Sequence, residues 1–193
     1  MWRLVIKSER LSFLFAIIKE KKEKLSTPTD PKIILVELVT AIANTLKVDR
    51  CFLYVRDPQT RLAKVAYCFC RNPHVPDVSS NQWQEETRLE TQDPMFAAAL
   101  NCQETVYVED VETASPKIVN REFEAREFGH RALIHAHLCT EGKLWGILQP
   151  CVFEHPRQWT TADQEFINRM ITRLIPLVQQ YVKENLSAVA EKV

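Results

Sequence analysis

Glycine is scarce in this chain. Three occur in 193 residues, Gly129, Gly142 and Gly146. A loop that cradles phosphate through backbone N–H groups needs several glycines close together, so a nucleotide-phosphate loop is excluded. Net charge is also lacking, since 25 basic residues face 25 acidic ones. No global basic field therefore favours nucleic acid. No apolar run reaches the roughly 18–20 residues that span a bilayer; "LSFLFAII" at 11–18 is too short and is followed by "KEKKEK" at 19–24. No small-residue cleavage site follows it, so the chain is expected in the cytoplasm with its six cysteines reduced. None of the cysteines forms a C-x-x-C pair, which argues against a zinc ribbon or a thioredoxin-type site. No Ser-His-Asp, paired-carboxylate or other catalytic signature is visible, and no enzyme activity is expected.

Hydrophobic residues, at 46%, are enough for a real core. Apolar spacing predicts a helix over about 8–24, broken by "STPTDP" at 26–31. A second helix starts with Asp30 as N-cap and Pro31 in its first turn, burying Ile34, Leu35, Leu38, Ile42 and Leu46. "RCFLYVRD" at 50–57 and "RLAKVAYCFC" at 61–70 read as a hairpin around the turn "DPQT". A polar, proline-punctuated excursion follows over 71–92. Next come a short helix capped by Asp93, a strand near 104–110, a charged helix within 115–128 and a hairpin over 131–139 and 143–152. The last helix offers Thr161 and Gln164 as a capping box, and Pro176 is expected to kink it. This order implies an α+β fold: an antiparallel sheet with helices packed on one face.

The second hairpin carries His135, His137, Cys139 and Cys151. Side chains alternate faces along a strand. Ala132, Ile134, Ala136 and Leu138 form one wholly apolar face, which belongs to the core. Arg131, Leu133, His135, His137 and Cys139 form the other. A three-residue turn, Thr140-Glu141-Gly142, pairs Cys139 with Lys143. It places Leu144, Gly146, Leu148 and Val152 on the core face, and Trp145, Ile147, Gln149 and Cys151 opposite. Large apolar residues on the second face imply a cover, for which 71–92 is the obvious candidate. A roofed face with mixed polar and aromatic lining is a pocket.

These residues resemble a GAF domain of the phytochrome and cyanobacteriochrome kind. "FGHRALIHAHLCTEGKLWGIL" is similar to the family's strand-turn-strand signature, "VDRCFLYVRDP" to its first strand, and "PRQWTTADQEFINRM" to the start of its last helix. The resemblance covers about 31–182, leaving 1–25 as a helical extension and 183–193 as the end of the last helix. It implies a sensory or regulatory module with a loop-covered pocket lined by Phe52, Tyr54, Leu133, His135, His137 and Cys151. Its ligand would be small, planar and cyclic, such as a nucleotide, haem or a non-covalent tetrapyrrole, or the pocket would hold none. Covalent bilin attachment is not expected, because Asn120 stands where bilin-binding relatives carry cysteine, nine residues before the strand-opening glycine.

Three other readings stand beside this one. An interaction protein with a vestigial pocket would dimerise through the helix at 8–24 and the last helix, where Leu177, Val178, Tyr181, Val182 and Leu186 are expected to exceed what one sheet face can cover. A reductase of free methionine sulfoxide would use pocket cysteines. A zinc site would use the two histidines with Cys139 or Cys151. Any signalling output must pass through a partner protein, since no kinase, cyclase or DNA-binding segment is present in the sequence.

Overall fold

The computed structural model describes residues 30–190. The helix expected over 8–24 lies outside the described residues. Helix α1 spans Pro31–Leu46, and Asp30 caps it by accepting a hydrogen bond from the Lys32 N–H at 2.8 Å. Strands β1 (Arg50–Arg56) and β2 (Leu62–Cys70) form the first hairpin. The excursion contributes only the two-residue strand β3 (Gln84–Glu85) and a 3-10 turn at Leu89–Thr91. Helix α2 (Pro94–Leu100), strand β4 (Val106–Val108) and helix α3 (Arg121–Glu127) follow. The second hairpin is β5 (Ala132–Thr140) with β6 (Lys143–Val152), and α4 (Thr161–Ala190) closes the chain.

All neighbouring strands run antiparallel in one six-stranded sheet of order β3-β2-β1-β6-β5-β4. One face packs on α1 and α4. Cys51, Leu53 and Val55 of β1, with Ala132, Ile134, Ala136 and Leu138 of β5, meet Leu35, Ile42, Ile167, Leu174 and Val178 there. The alternation expected for β5 is therefore correct. The charged helix and the cap at Asp93 also lie where expected, with Asp93 accepting from the Met95 N–H at 2.9 Å.

The hairpin turn differs from expectation. Thr140 pairs with Lys143, so only Glu141 and Gly142 turn the chain, at φ 52° and 68°. Two consecutive left-handed residues match the twist of antiparallel strands. The register then shifts: Cys139 faces Leu144, but Leu138 faces Gly146, leaving Trp145 as a bulge. The bulge swaps two residues between faces. Leu144 joins Ile147, Phe96 and Ala99 on the second face. Trp145 turns to the helix side, under the Lys183 ammonium. Beyond the bulge the parity is as predicted. Gly146 is required here, because a Cβ on it would stand 2.4 Å from the Tyr54 carbonyl oxygen.

Two expectations for α4 also change. Its capping box is one residue earlier: Thr160 and Asp163 exchange hydrogen bonds, Oγ1 accepting from the Asp163 N–H at 3.2 Å and Oδ2 from the Thr160 N–H at 3.0 Å. The helix runs through Pro176 unbroken. Past the proline, Val178, Tyr181 and Val182 are buried in the chain's own core, Tyr181 edge-on to Tyr67 at 5.7 Å. The expectation that they form an excess apolar stripe is thus incorrect. The sheet has a second hairpin's worth of apolar surface to cover, and α4 covers it. Among the described residues no helix is long and apolar enough to cross a membrane.

Candidate functional site

The second face of the sheet collects the predicted residues. Phe52 and Tyr54 of β1, Leu133, His135 and His137 of β5, and Cys151 of β6 all lie on it, because each strand alternates and the central pairs are in register: Phe52 with Gln149, Tyr54 with Ile147, Leu133 with Cys151 and His137 with Ile147. Phe52, Leu133, His135, His137 and Cys151 are all buried. Cys139 and Cys151 sit at opposite ends of the hairpin, opposite Leu144 and Leu133, so the four residues of the motif do not form one cluster.

Residues 71–92 provide only part of the cover. Glu86 and Leu89 reach over Tyr54. The main cover is α2 and α3, from which Met95, Phe96, Ala99 and Phe123 pack down toward the sheet. Phe128 stacks on Phe52 with ring centroids 6.1 Å apart. These side chains fill the face. Clefts of about 550, 480 and 570 Å³ open elsewhere on the surface, and none is lined by any of the six predicted residues.

Polar groups under this cover are organised as chains. The Gln103 carbonyl accepts from His137 Nδ1 at 2.8 Å. A neutral His137 then has Nε2 as acceptor, and His135 Nδ1 donates to it at 3.0 Å. His135 Nε2 is left as a lone pair. Burial pushes the pKa of both imidazoles below its usual value, and for His135 the neighbouring His137 adds to the effect. Both are neutral near pH 7, as the chain of bonds requires. Pro150, which has no N–H, lies opposite this stretch, and paired residues between β5 and β6 are interrupted from Leu133 to Ala136.

A second chain was not anticipated from the sequence. Arg50 is fully buried and donates from Nη2 to His130 Nε2 at 2.5 Å and from Nη1 to the Pro76 carbonyl at 2.9 Å. His130 Nδ1 bonds Glu124 Oε1. The guanidinium also lies 4.9 Å from the centroid of Phe153. Burial lowers the pKa of His130, outweighing the pull of Glu124. Arg50 Nε and Glu124 Oε2 are buried without hydrogen-bond partners. Arg50 was findable, since it lies two residues before Phe52 on the same strand face. Glu124 and His130 carried no comparable signal.

Tyr54 ends in a third polar cluster. Its hydroxyl donates to Glu86 at 2.5 Å, and Arg56 reaches the same carboxylate at 2.9 Å. The cysteines of the face read as packing groups. Cys151 is fully buried, and desolvation pushes its thiol pKa upward; Cys139 is pushed the same way. Neither has the electropositive, accessible setting of a reactive thiol. Among the described residues no group of three or more His, Cys, Asp or Glu is placed to hold a metal ion, so the zinc reading has no site. Asn120 is the N-cap of α3, its Oδ1 accepting from the Phe123 N–H at 3.2 Å, while its Nδ2 donates to Gln92 O at 2.9 Å.

This architecture, a six-stranded antiparallel sheet with long helices on one face and short helices over a buried polar face on the other, belongs to a known class. The GAF-domain family model matches residues 30–176, and the chain belongs to the GAF family. GAF domains as a class are sensory and regulatory modules. Solved structures agree on the fold. The GAF domain of an Acinetobacter phosphoenolpyruvate-protein phosphotransferase is 15% identical with a TM-score of 0.65, covering 92% of this chain and 97% of that one. The phycoerythrobilin-bound GAF domain of a cyanobacterial phytochrome is 15% identical with a TM-score of 0.67, covering 91% and 97%. The blue-light absorbing form of the Thermosynechococcus elongatus PixJ GAF domain is 18% identical with a TM-score of 0.60, covering 84% and 94%. No curated protein matches the chain.

Proposed function

We propose that this chain is a non-catalytic regulatory GAF module that binds a small polar ligand, non-covalently, on the face of Phe52, Tyr54, Leu133, His135, His137 and Cys151, and passes its occupancy to a partner protein. The observation that carries the reading is the polarity of a buried face. Arg50, His130, His135, His137 and Gln149 are each at most 5% exposed. An unpartnered buried polar atom costs about 1–3 kcal/mol, and Arg50 Nε is one. A ligand bearing a carboxylate and an N–H group would satisfy Arg50 Nε and the His135 Nε2 lone pair together.

A tetrapyrrole or haem does not fit the face as it stands, because Met95, Phe96, Phe123 and Phe128 occupy it. The moving parts for ligand access are α2 and α3, of seven residues each. Helices this short depend on their packing and caps, and the Asn120 side chain ties one to the segment before the other.

Native mass spectrometry of freshly purified full-length protein, alongside its absorption spectrum, tests the proposal. We expect a small bound species without a visible absorption band, lost in His135→Ala. A visible band retained on the protein would restore a tetrapyrrole. A mass equal to that of the chain alone overturns ligand binding and favours the second reading, an interaction module. The closed, fully packed face is the observation behind that second reading.

A further inference from the structure

We infer that Cys68 and Cys70 form a reversible dithiol–disulfide site, oxidised by hydroperoxides, at the floor of an open surface cleft. The cleft, of about 570 Å³, lies between β2 and the loop that follows it, with Cys68, Cys70, Pro76 and Asp77 in its lining. The two sulfurs are 3.7 Å apart, in contact, and both residues are partly exposed to the cleft. None of the other four cysteines lines this cleft.

The backbone allows the bond and strains it. Same-face neighbours on a strand have Cα atoms about 6.5–7 Å apart, at the upper limit of disulfide geometry. Closing the sulfurs to about 2.05 Å requires the strand to pucker. Only its inner edge is held by a strand there, with Phe52, Cys51 and Arg50 facing Cys68, Phe69 and Cys70. Partner β3 pairs only with Leu62 and Ala63, so the outer edge of β2 is unpaired by strand from Lys64 to Cys70. A strained, accessible disulfide is readily reduced, which is the property of a switch rather than of a structural staple.

The chemistry balances. The Cys70 thiolate attacks one peroxide oxygen, the O–O bond breaks, hydroxide leaves, and Cys70 becomes a sulfenic acid. The Cys68 sulfur then attacks the sulfenic sulfur, the S–O bond breaks and water leaves. Two thiols and one hydrogen peroxide give one disulfide and two waters. First attack belongs to Cys70, because desolvation holds the Cys68 thiol protonated, with its pKa pushed up to about 12.

The site is coupled to the buried face. Cys70 donates its S–H to the Pro76 carbonyl at 3.6 Å, and the same carbonyl accepts from Arg50 Nη1 at 2.9 Å. Disulfide formation removes the thiol proton and draws the sulfur toward Cys68. The loop at 72–77 then loses one of its two ties to the sheet at that carbonyl.

The test treats full-length protein with hydrogen peroxide, alkylates free thiols and digests with trypsin. Cleavage after Lys64 and Arg71 releases Val65–Arg71, which contains only these two cysteines. We expect this peptide to lose alkylation at both residues and two hydrogens in mass, and to recover with dithiothreitol. In Cys68→Ser, a dimedone adduct should appear at Cys70. Full alkylation of the peptide, oxidation to sulfinic acids without a disulfide, or bonding to any other cysteine overturns the site. Hydrogen exchange over 72–77 should quicken in the disulfide form; unchanged exchange overturns the coupling to Arg50.

Discussion

Asp93 offers a measurement of how closed the covered face is. It is 7% exposed, caps α2 and lies near the Glu124 carboxyl. Burial, reinforced by Glu124 and only partly offset by the Met95 N–H, pushes its pKa up to about 6. An unfolded aspartate titrates near 4. Between these values the folded chain binds more protons than the unfolded one. Stability therefore falls as pH rises from about 4 to about 6 and stays lower above that. Two units correspond to about 3 kcal/mol at full effect. Part of this is already lost at pH 4, where the unfolded group is half ionised, so the change between pH 4 and pH 7 is about 2 kcal/mol. Asp93→Asn isolates this contribution. Asparagine is an equally good N-cap, cannot ionise, and leaves the other titrating groups in place. The assay is urea unfolding of both proteins at several pH values. The variant should gain about 2 kcal/mol over wild type on going from pH 4 to pH 7. A stability difference that does not change with pH would refute the reasoning and show that Asp93 is hydrated.

Gly146→Ala should destabilise the fold by about 2 kcal/mol, within the usual cost of overpacking, because the clash is with the backbone carbonyl of Tyr54. Gly142→Ala, with open space around it but a φ of 68°, should cost about 1 kcal/mol; equal urea midpoints for wild type and Gly146→Ala would remove the bulge. Coexpression with a bilin pathway should leave no pigment on the protein in denaturing electrophoresis, because Asn120 stands where the attachment thiol would be; a zinc-fluorescent band at its position would refute this and point to Cys68, Cys70, Cys139 or Cys151 as the anchor. With Val178, Tyr181 and Val182 buried in the chain's own core, our proposal of a dimer rests on residues 1–24: sedimentation equilibrium should show a dimer at micromolar concentration that is lost when residues 1–24 are removed, and a monomer of the whole chain would end it.

How far the sequence reaches is clear from the second hairpin. Alternation placed Ala132 through Leu138 on the correct faces, since an apolar face and a polar one cannot be exchanged without burying the wrong set. It failed at Leu144 and Trp145. A two-residue turn plus a bulge and a three-residue turn conserve the same parity farther along, so alternation alone could not separate them. The left-handed Glu141-Gly142 pair was the signal for the tighter turn. Thr160 and Asp163 form an equally valid capping pattern one residue before Thr161 and Gln164. Phe52 through Cys151 were legible as one face by parity. The Arg50–His130–Glu124 chain was not, because it joins a strand, a loop and a helix through side-chain reach rather than through any period in the sequence. The filling of the face by α2 and α3 depended on tertiary packing too.

The central position of β1 and β6 has a consequence for how the chain is made. Arg50 is paired with Cys151, and the Cys151 thiol donates to the Arg50 carbonyl across a separation of 101 residues. During synthesis, the first hairpin leaves the ribosome with β1 as an exposed edge, and its permanent neighbour does not yet exist. Contacts this distant in sequence slow folding, and an unpaired apolar strand invites association with other chains. Any truncation before β6 removes the middle of the sheet rather than its margin. The smallest fragment able to fold on its own must therefore reach past Val152 to the helix that covers it.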